Sequence, residues 1–235
     1  MTLRFVNHIV VFLIFISISA SRITGQSLSS LTGLFNIPSA ETIEDGEIAL
    51  GIYTLPKYYV EGKHFDNWAL NYYFSIGFLP FVEGSIRFTR DYSERDALGD
   101  RMFSLKIKPI EENEYVPSIA IGLQDFFHST VNRTNRFSSV YIAVTKNVHL
   151  KSLINNISFN LGRGFDWIEA GGYEYIGFFG GVSITFFNFM ELIGEYDALE
   201  FNSALRIKLF NHLQLMGGFI NMKYFSGGGS IFINL

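Results

Sequence analysis

The chain has 235 residues and no cysteine. It therefore lacks the residue that disulfides, thiolate metal centres, a cysteine nucleophile and a lipoprotein anchor all require. Charge is also scarce: Asp, Glu, Lys and Arg make up 17% of the chain, against the ~25% usual in soluble domains. There is no excess of positive charge. The net charge is −4, becoming −6 if Arg4 and Arg22 are removed, so a basic nucleic-acid-binding surface is not expected. Long apolar runs are almost absent. One stretch, Ile9 to Ile18, is continuous enough to consider as a helix. No GxSxG, P-loop or dinucleotide fingerprint occurs. No cofactor is expected, and no catalytic or metal-binding residues are assigned. His8, His64, His128, His149 and His212 show no metal-ligand spacing and are read as loop or turn histidines.

What the chain has in quantity is aromatic and apolar residues outside long runs. It contains 25 Phe and 12 Tyr, and its mean hydropathy is +0.22. A chain this apolar without ~20-residue spans fits an outer-membrane barrel, where apolar residues take alternate positions. Residues 1–25 read as a signal peptide. Arg4 supplies the positive start, Ile9 to Ile18 the apolar centre, and cleavage follows Ala20 or Gly25. An N-terminal membrane anchor is the rival reading, and the run is short for a span. Residues 26–46 form a lead-in segment, either tucked into the barrel mouth or left as a loose tail. Pro38 argues against a long strand there.

Residues 47–235 carry the strand pattern. Alternation of period two marks twelve candidate strands: 47–55, 68–77, 81–90, 101–109, 117–126, 137–146, 154–162, 174–185, 189–197, 201–209, 213–222 and 228–235. Ten or fourteen strands are also compatible. Short connections mostly alternate with longer polar ones, as in bacterial barrels with periplasmic turns and outer loops. The fold class is therefore all-β, an antiparallel transmembrane barrel. A secreted soluble sandwich could show the same alternation.

Near the C-terminus, Leu205, Ile207 and Leu209 alternate with Ala204, Arg206 and Lys208. A charge facing lipid at mid-membrane costs ~2–4 kcal/mol, so the charged face of each strand is expected to look inward. This gives a lumenal charge set of Glu83, Arg87, Lys106, Lys108, Glu195, Arg206 and Lys208. Such charges could pair across strands and plug the interior. They could instead line a path for anions. Asp125 and Asp197 fall near strand ends, as rim candidates for ligand binding or simple strand termination. Tyr53, Tyr58, Tyr59, Trp68, Phe78, Phe81, Tyr92, Phe126, Phe127, Phe186, Phe187 and Phe189 fit interfacial girdles. Gly227-Gly228-Gly229 reads as a flexible hairpin loop. Asn132-Arg133-Thr134 and Asn156-Ile157-Ser158 are formal glycosylation sequons that carry little meaning in a bacterial chain.

Several segments resemble a known family. They are Thr32 to Ala40 (TGLFNIPSA), Gly99 to Lys106 (GDRMFSLK), Pro117 to Phe127 (PSIAIGLQDFF), and Gly194-Glu195-Tyr196-Asp197 followed by Phe201-Asn202. In that order they resemble the YjbH-like family of Gram-negative outer-membrane proteins linked to exopolysaccharide production, over about residues 31–235. The resemblance implies an outer-membrane barrel with a role in polysaccharide export, and carries no catalytic residues. Members encoded with polysaccharide genes are longer and often lipoproteins, unlike this short chain.

The expected function is a non-enzymatic envelope component, linked to exopolysaccharide or capsule export or serving as an accessory subunit of an outer-membrane complex. Its expected partners are outer-membrane lipid and either polysaccharide or other envelope proteins, with no nucleic acid. A small anion-preferring diffusion pore is the alternative. An outer-membrane hydrolase would need Ser and His on adjacent outward positions, and none is found.

Overall fold

The structure is a computed structural model that describes residues 24–56, 68–91, 100–128, 138–168 and 176–235. Most of the expected signal peptide, His64, Tyr58, Tyr59, Tyr92 and the Asn132 sequon lie outside the described residues, as does the side chain of His128.

Twelve strands form one closed sheet: β1 (Glu47–Leu55), β2 (Ala69–Gly77), β3 (Val82–Asp91), β4 (Asp100–Ile110), β5 (Ser118–His128), β6 (Ser139–His149), β7 (Ile154–Phe165), β8 (Gly177–Phe186), β9 (Met190–Tyr196), β10 (Phe201–Leu209), β11 (Leu213–Ile220) and β12 (Tyr224–Asn234). Each strand pairs antiparallel with its sequence neighbours. β12 then returns to β1, from Glu47↔Asn234 to Thr54↔Gly227, so no edge is left unpaired. A single closed sheet rules out the two-sheet sandwich.

Alternation decides the faces. Along β10, Asn202, Ala204, Arg206 and Lys208 are buried inside while Phe201 and Leu205 are exposed outside. Three hairpins use tight turns with two consecutive positive-φ residues: Phe187-Asn188, Phe210-Asn211 and Asn221-Met222. Each is closed by an i to i+3 backbone bond, Phe189 N–H to Phe186 O at 3.2 Å, His212 N–H to Leu209 O at 3.2 Å, and Lys223 N–H to Ile220 O at 3.1 Å. Asparagine occurs in all three pairs because it tolerates the left-handed region that such turns require. The turn between β11 and β12 is therefore Asn221-Met222, and Gly227-Gly228-Gly229 is not a loop. These glycines lie within β12. A Cβ on Gly228 would sit 1.9 Å from the Ile52 carbonyl oxygen, so the chain needs glycine there for close approach of β1.

The N-terminal segment fills much of the interior. Residues 24–45 thread into the lumen and form a plug in which Leu28, Leu31, Leu34, Phe35, Ile37 and Ile43 are buried. The plug is irregular. It contains two isolated bridges, Gln26↔Thr32 and Gly33↔Pro38, and tight backbone bonds such as Leu28 N–H to Phe35 O at 2.8 Å. Tyr53 is not part of a girdle. It is buried against the plug, with its ring stacked on Tyr73 at 5.9 Å. Trp68, Phe78, Phe81, Phe126, Phe127 and Phe187 are exposed.

Candidate functional site: the plugged lumen

An irregular segment buried in a barrel has backbone N–H and C=O groups with no ladder to satisfy them, and each one left unpaired would be costly. The inward side chains of the wall take that role. Glu83 of β3 accepts from the Thr32 N–H at 2.8 Å, the Thr32 hydroxyl at 3.0 Å and Gln26 Nε2 at 3.2 Å. Lys106 of β4, opposite Glu83 in register, pairs with it at 3.0 Å and donates to the Thr32 carbonyl at 2.7 Å. Arg206 of β10 pairs with its cross-strand neighbour Glu191 at 2.8 Å. Its other terminal nitrogen donates to the carbonyls of Gly33 at 2.7 Å and Leu34 at 2.5 Å. Glu195 of β9 receives the backbone N–H groups of Phe35, Asn36 and Ile37 at 3.0, 2.8 and 3.4 Å.

These charges are almost wholly buried. Taking them out of water costs several kcal/mol each, which is recovered only where pairing and hydrogen bonding are nearly complete. The observed arrangement largely meets that condition: Glu83, Lys106, Arg206 and Glu195 each have a counter-charge or amide and at least one plug backbone group, and Glu191 neutralises Arg206.

The other charges of the set hold the wall. Arg87 forms an ion pair with Asp125 and contacts Met102 Sδ at 3.2 Å. Asp125 is not exposed at the rim. The β4–β5 register shifts between Phe103 and Leu105, and Asp125 has a positive φ of 46°. That irregularity turns both Gln124 and Asp125 inward. Asp197 is also buried. It accepts from Asn36 Nδ2 and Asn202 Nδ2, both at 2.9 Å, and from the backbone N–H groups of Leu199 and Glu200. It therefore closes a turn and ties Asn36 of the plug to the wall. Lys108 pairs with Glu111 at 2.6 Å, and Lys208 sits 4.7 Å from the Phe232 ring centroid.

Sequence reasoning missed Glu191, which shares the inward parity of Glu195 and Asp197 and could have been found by it. It also missed Gln214, which grips Gln26 by accepting from its N–H at 3.0 Å and donating to its carbonyl at 2.8 Å. Its alternation with Leu213 and Leu215 marks that side chain as inward-facing, as parity does for Glu191, but not which plug residue it meets.

One sector of the wall differs. On β6, β7 and β8 the inward positions carry Thr145, Asn147, Ser158, Asn160, Ser183 and Thr185, and the one ionisable residue of that parity, His149, stands exposed at the end of β6. Beside it a cavity of about 630 Å³ lies between wall and plug, and Asn113, Glu114 and Asn188 border it at the short-turn end of the barrel. Among the described residues, no group of three or more His, Asp or Glu could hold a metal ion.

Comparison with known proteins places this architecture. The family model described as "Exopolysaccharide biosynthesis protein YbjH" matches residues 26–176, which take in most of the plug and the seven strands β1–β7. The chain is also 26% identical over 151 residues to "Uncharacterized lipoprotein YjbH" of Escherichia coli (strain K12). That alignment covers 60% of this chain and 18% of the relative, so the chain corresponds to a small part of that protein's length. With more than half of its residues matched by the family model, the chain belongs to the YjbH family of exopolysaccharide biosynthesis proteins.

Proposed function

We propose that the protein is a non-enzymatic, plugged β-barrel of the Gram-negative outer membrane that serves exopolysaccharide export as an envelope component. The observation that carries this reading is the polarity of the wall. Large apolar side chains such as Ile121, Phe159, Leu192, Leu205, Leu215 and Ile231 stand exposed on the outside, while ions, amides and hydroxyls are buried inside. A water-soluble barrel would leave that belt as an apolar surface far larger than soluble monomers tolerate. A bilayer covers it, and closure satisfies the backbone where no water reaches. The family supplies the link to exopolysaccharide. The plug favours an accessory or secretion-linked role over a diffusion pore, because a pore for anions requires residues 24–45 to leave the lumen.

Cell fractionation combined with a heat-modifiability gel tests the reading. Recovery in outer membranes, with a band that shifts on boiling, is the expected result. Co-purification with polysaccharide-export proteins would support the accessory role. A soluble protein whose band does not shift would overturn the membrane assignment.

A further inference from the structure

We propose that the cavity between the plug and the β6–β8 wall is a binding site for a neutral oligosaccharide segment. The proposal rests on the exopolysaccharide reading above for the source of the ligand, and on the cavity itself for its chemistry.

The volume, about 630 Å³, falls within the ~300–1,000 Å³ of pockets that enclose small ligands. The lining sorts by charge. Its one arginine, Arg206, is already bound to Glu191 and to plug carbonyls. Lys146 is paired with Glu112 at 3.1 Å and donates to the Asn113 carbonyl at 2.6 Å. An anionic ligand would have to break these bonds. Three of the four carboxylates are committed too: Glu191 pairs with Arg206, Glu112 accepts from Asn147 Nδ2 at 2.6 Å, and Glu41 accepts from the same nitrogen at 3.2 Å. The fourth, Glu114, stands exposed at the short-turn end, so a cation inside the cavity would find the carboxylates there occupied.

Asn147 is held by Glu112, Glu41 and Asn156, and Thr145 and Asn160 bond each other, so what is left is the hydroxyls of Ser158, Ser183 and Thr185 and the amide of Asn156, on the adjacent strands β7 and β8. Ser158 faces both Asn147 and Ser183 in register, and Asn156 faces Thr185. An amide offers donors and an acceptor side by side, and a sugar hydroxyl both donates and accepts, so the two match without net charge. Asn156 points to the same ligand. Its Nδ2 donates to Asn147 Oδ1 at 3.1 Å, while its own Oδ1 is buried and has no partner in the protein. A buried acceptor of this kind normally has one, and a ligand hydroxyl would supply it. The lining contains no Phe, Tyr or Trp for a sugar ring to stack on, so recognition runs through hydrogen bonds and the affinity is expected to be weak, on the order of millimolar.

The test uses protein extracted from outer membranes in a dimethylamine-oxide detergent, because glycoside detergents would compete. Maltotriose, cellotriose and trigalacturonate are the probes, followed by saturation-transfer NMR and calorimetry. At least one neutral trisaccharide is expected to bind, with trigalacturonate excluded. Asn156→Leu and Thr185→Val should each weaken binding roughly tenfold, the scale of one lost hydrogen bond. If Asn156→Leu does not fold, Thr185→Val carries the test. The proposal is overturned if folded, heat-modifiable protein binds neither neutral trisaccharide, if it prefers trigalacturonate, or if the substitutions leave binding unchanged. Failure to find the protein in outer membranes would instead remove the membrane reading. Sugar binding by a soluble form would leave the site standing.

Discussion

Glu195 and Asn36 face each other across the wall–plug boundary, with the Asn36 N–H donating to Glu195 Oε1 at 2.8 Å. The same carboxylate takes the N–H groups on either side, from Phe35 and Ile37, so one wall residue caps three successive plug amides. Sequence-distant side chains thus do for the plug what neighbouring strands do for the barrel.

Replacing Glu195 by Ala should therefore release three buried N–H donors at once. The expected loss is about 1–3 kcal/mol per unsatisfied group, less where water enters. Glu195→Gln keeps one acceptor oxygen and should cost less. Urea titration of the heat-modifiable band checks both. Equal, negligible shifts for the two variants would mean that Glu195 does not hold the plug.

The Glu83–Lys106 pair makes a sharper prediction. Lys106→Met leaves Glu83 buried without its counter-ion and removes a donor from the Thr32 carbonyl. Breaking a buried pair on one side costs about 3–5 kcal/mol. Adding Glu83→Gln to Lys106→Met should recover part of the loss, although the Thr32 N–H then meets a neutral acceptor. A double-mutant cycle on unfolding free energy reads the coupling. Simple additivity would show that the pair is not a unit.

The barrel was legible in the sequence because period two is local: each strand declares its own inward and outward residues. The plug was legible only as one of two readings of residues 26–46, tucked into the barrel mouth or left as a tail; its contacts were not, because the segment has no period and its partners lie far along the chain, as with Gln26 and Gln214. Asp125 lies near the end of β5 as its position suggested, but its burial was not legible, because the register shift in β4–β5 breaks the alternation that otherwise assigns faces. Tyr53 was assigned by its place near a strand end, although its parity with Ala49 and Gly51 puts it inside. The glycine run in β12 looked like a turn, because a strand that needs glycine for close approach has the same composition as a loop.

Conductance separates a standing plug from a removable one. The intact protein in planar bilayers should show no channel steps. Deletion of residues 27–43 should produce them if the strands still close, since the remaining lumenal face is polar. Stable steps from the intact protein would mean that the plug leaves the lumen in a bilayer, and would revive the anion-pore reading.

Gly122 and Tyr141 are directly opposed on β5 and β6, and a Cβ on Gly122 would lie 2.1 Å from Tyr141 Cζ. The ring lies over the glycine, a cross-strand device that recurs at Gly51 with Tyr73 and at Gly162 with Phe179. Gly122→Ala should displace the ring and cost about 1–3 kcal/mol through overpacking. Combining it with Tyr141→Ala should remove that strain, so the double variant should be less unstable than the two single losses add up to. Additive losses would show that the ring and the glycine are independent.

The outer belt yields the most direct check on the membrane reading. Leu205 sits mid-strand on β10, exposed on the outside and opposite Leu192 and Gly217 on its neighbours. In a bilayer, Leu205→Arg places a cation at mid-depth and should cost about 2–4 kcal/mol, with assembly into outer membranes reduced. Phe201→Arg, at the strand's end and also exposed, should cost only about 0–1 kcal/mol because the interface is near. In water the two positions would be equivalent, and both substitutions would improve solubility. A depth-dependent penalty is therefore a signature that only a surrounding membrane produces, and equal tolerance at both sites would rule one out.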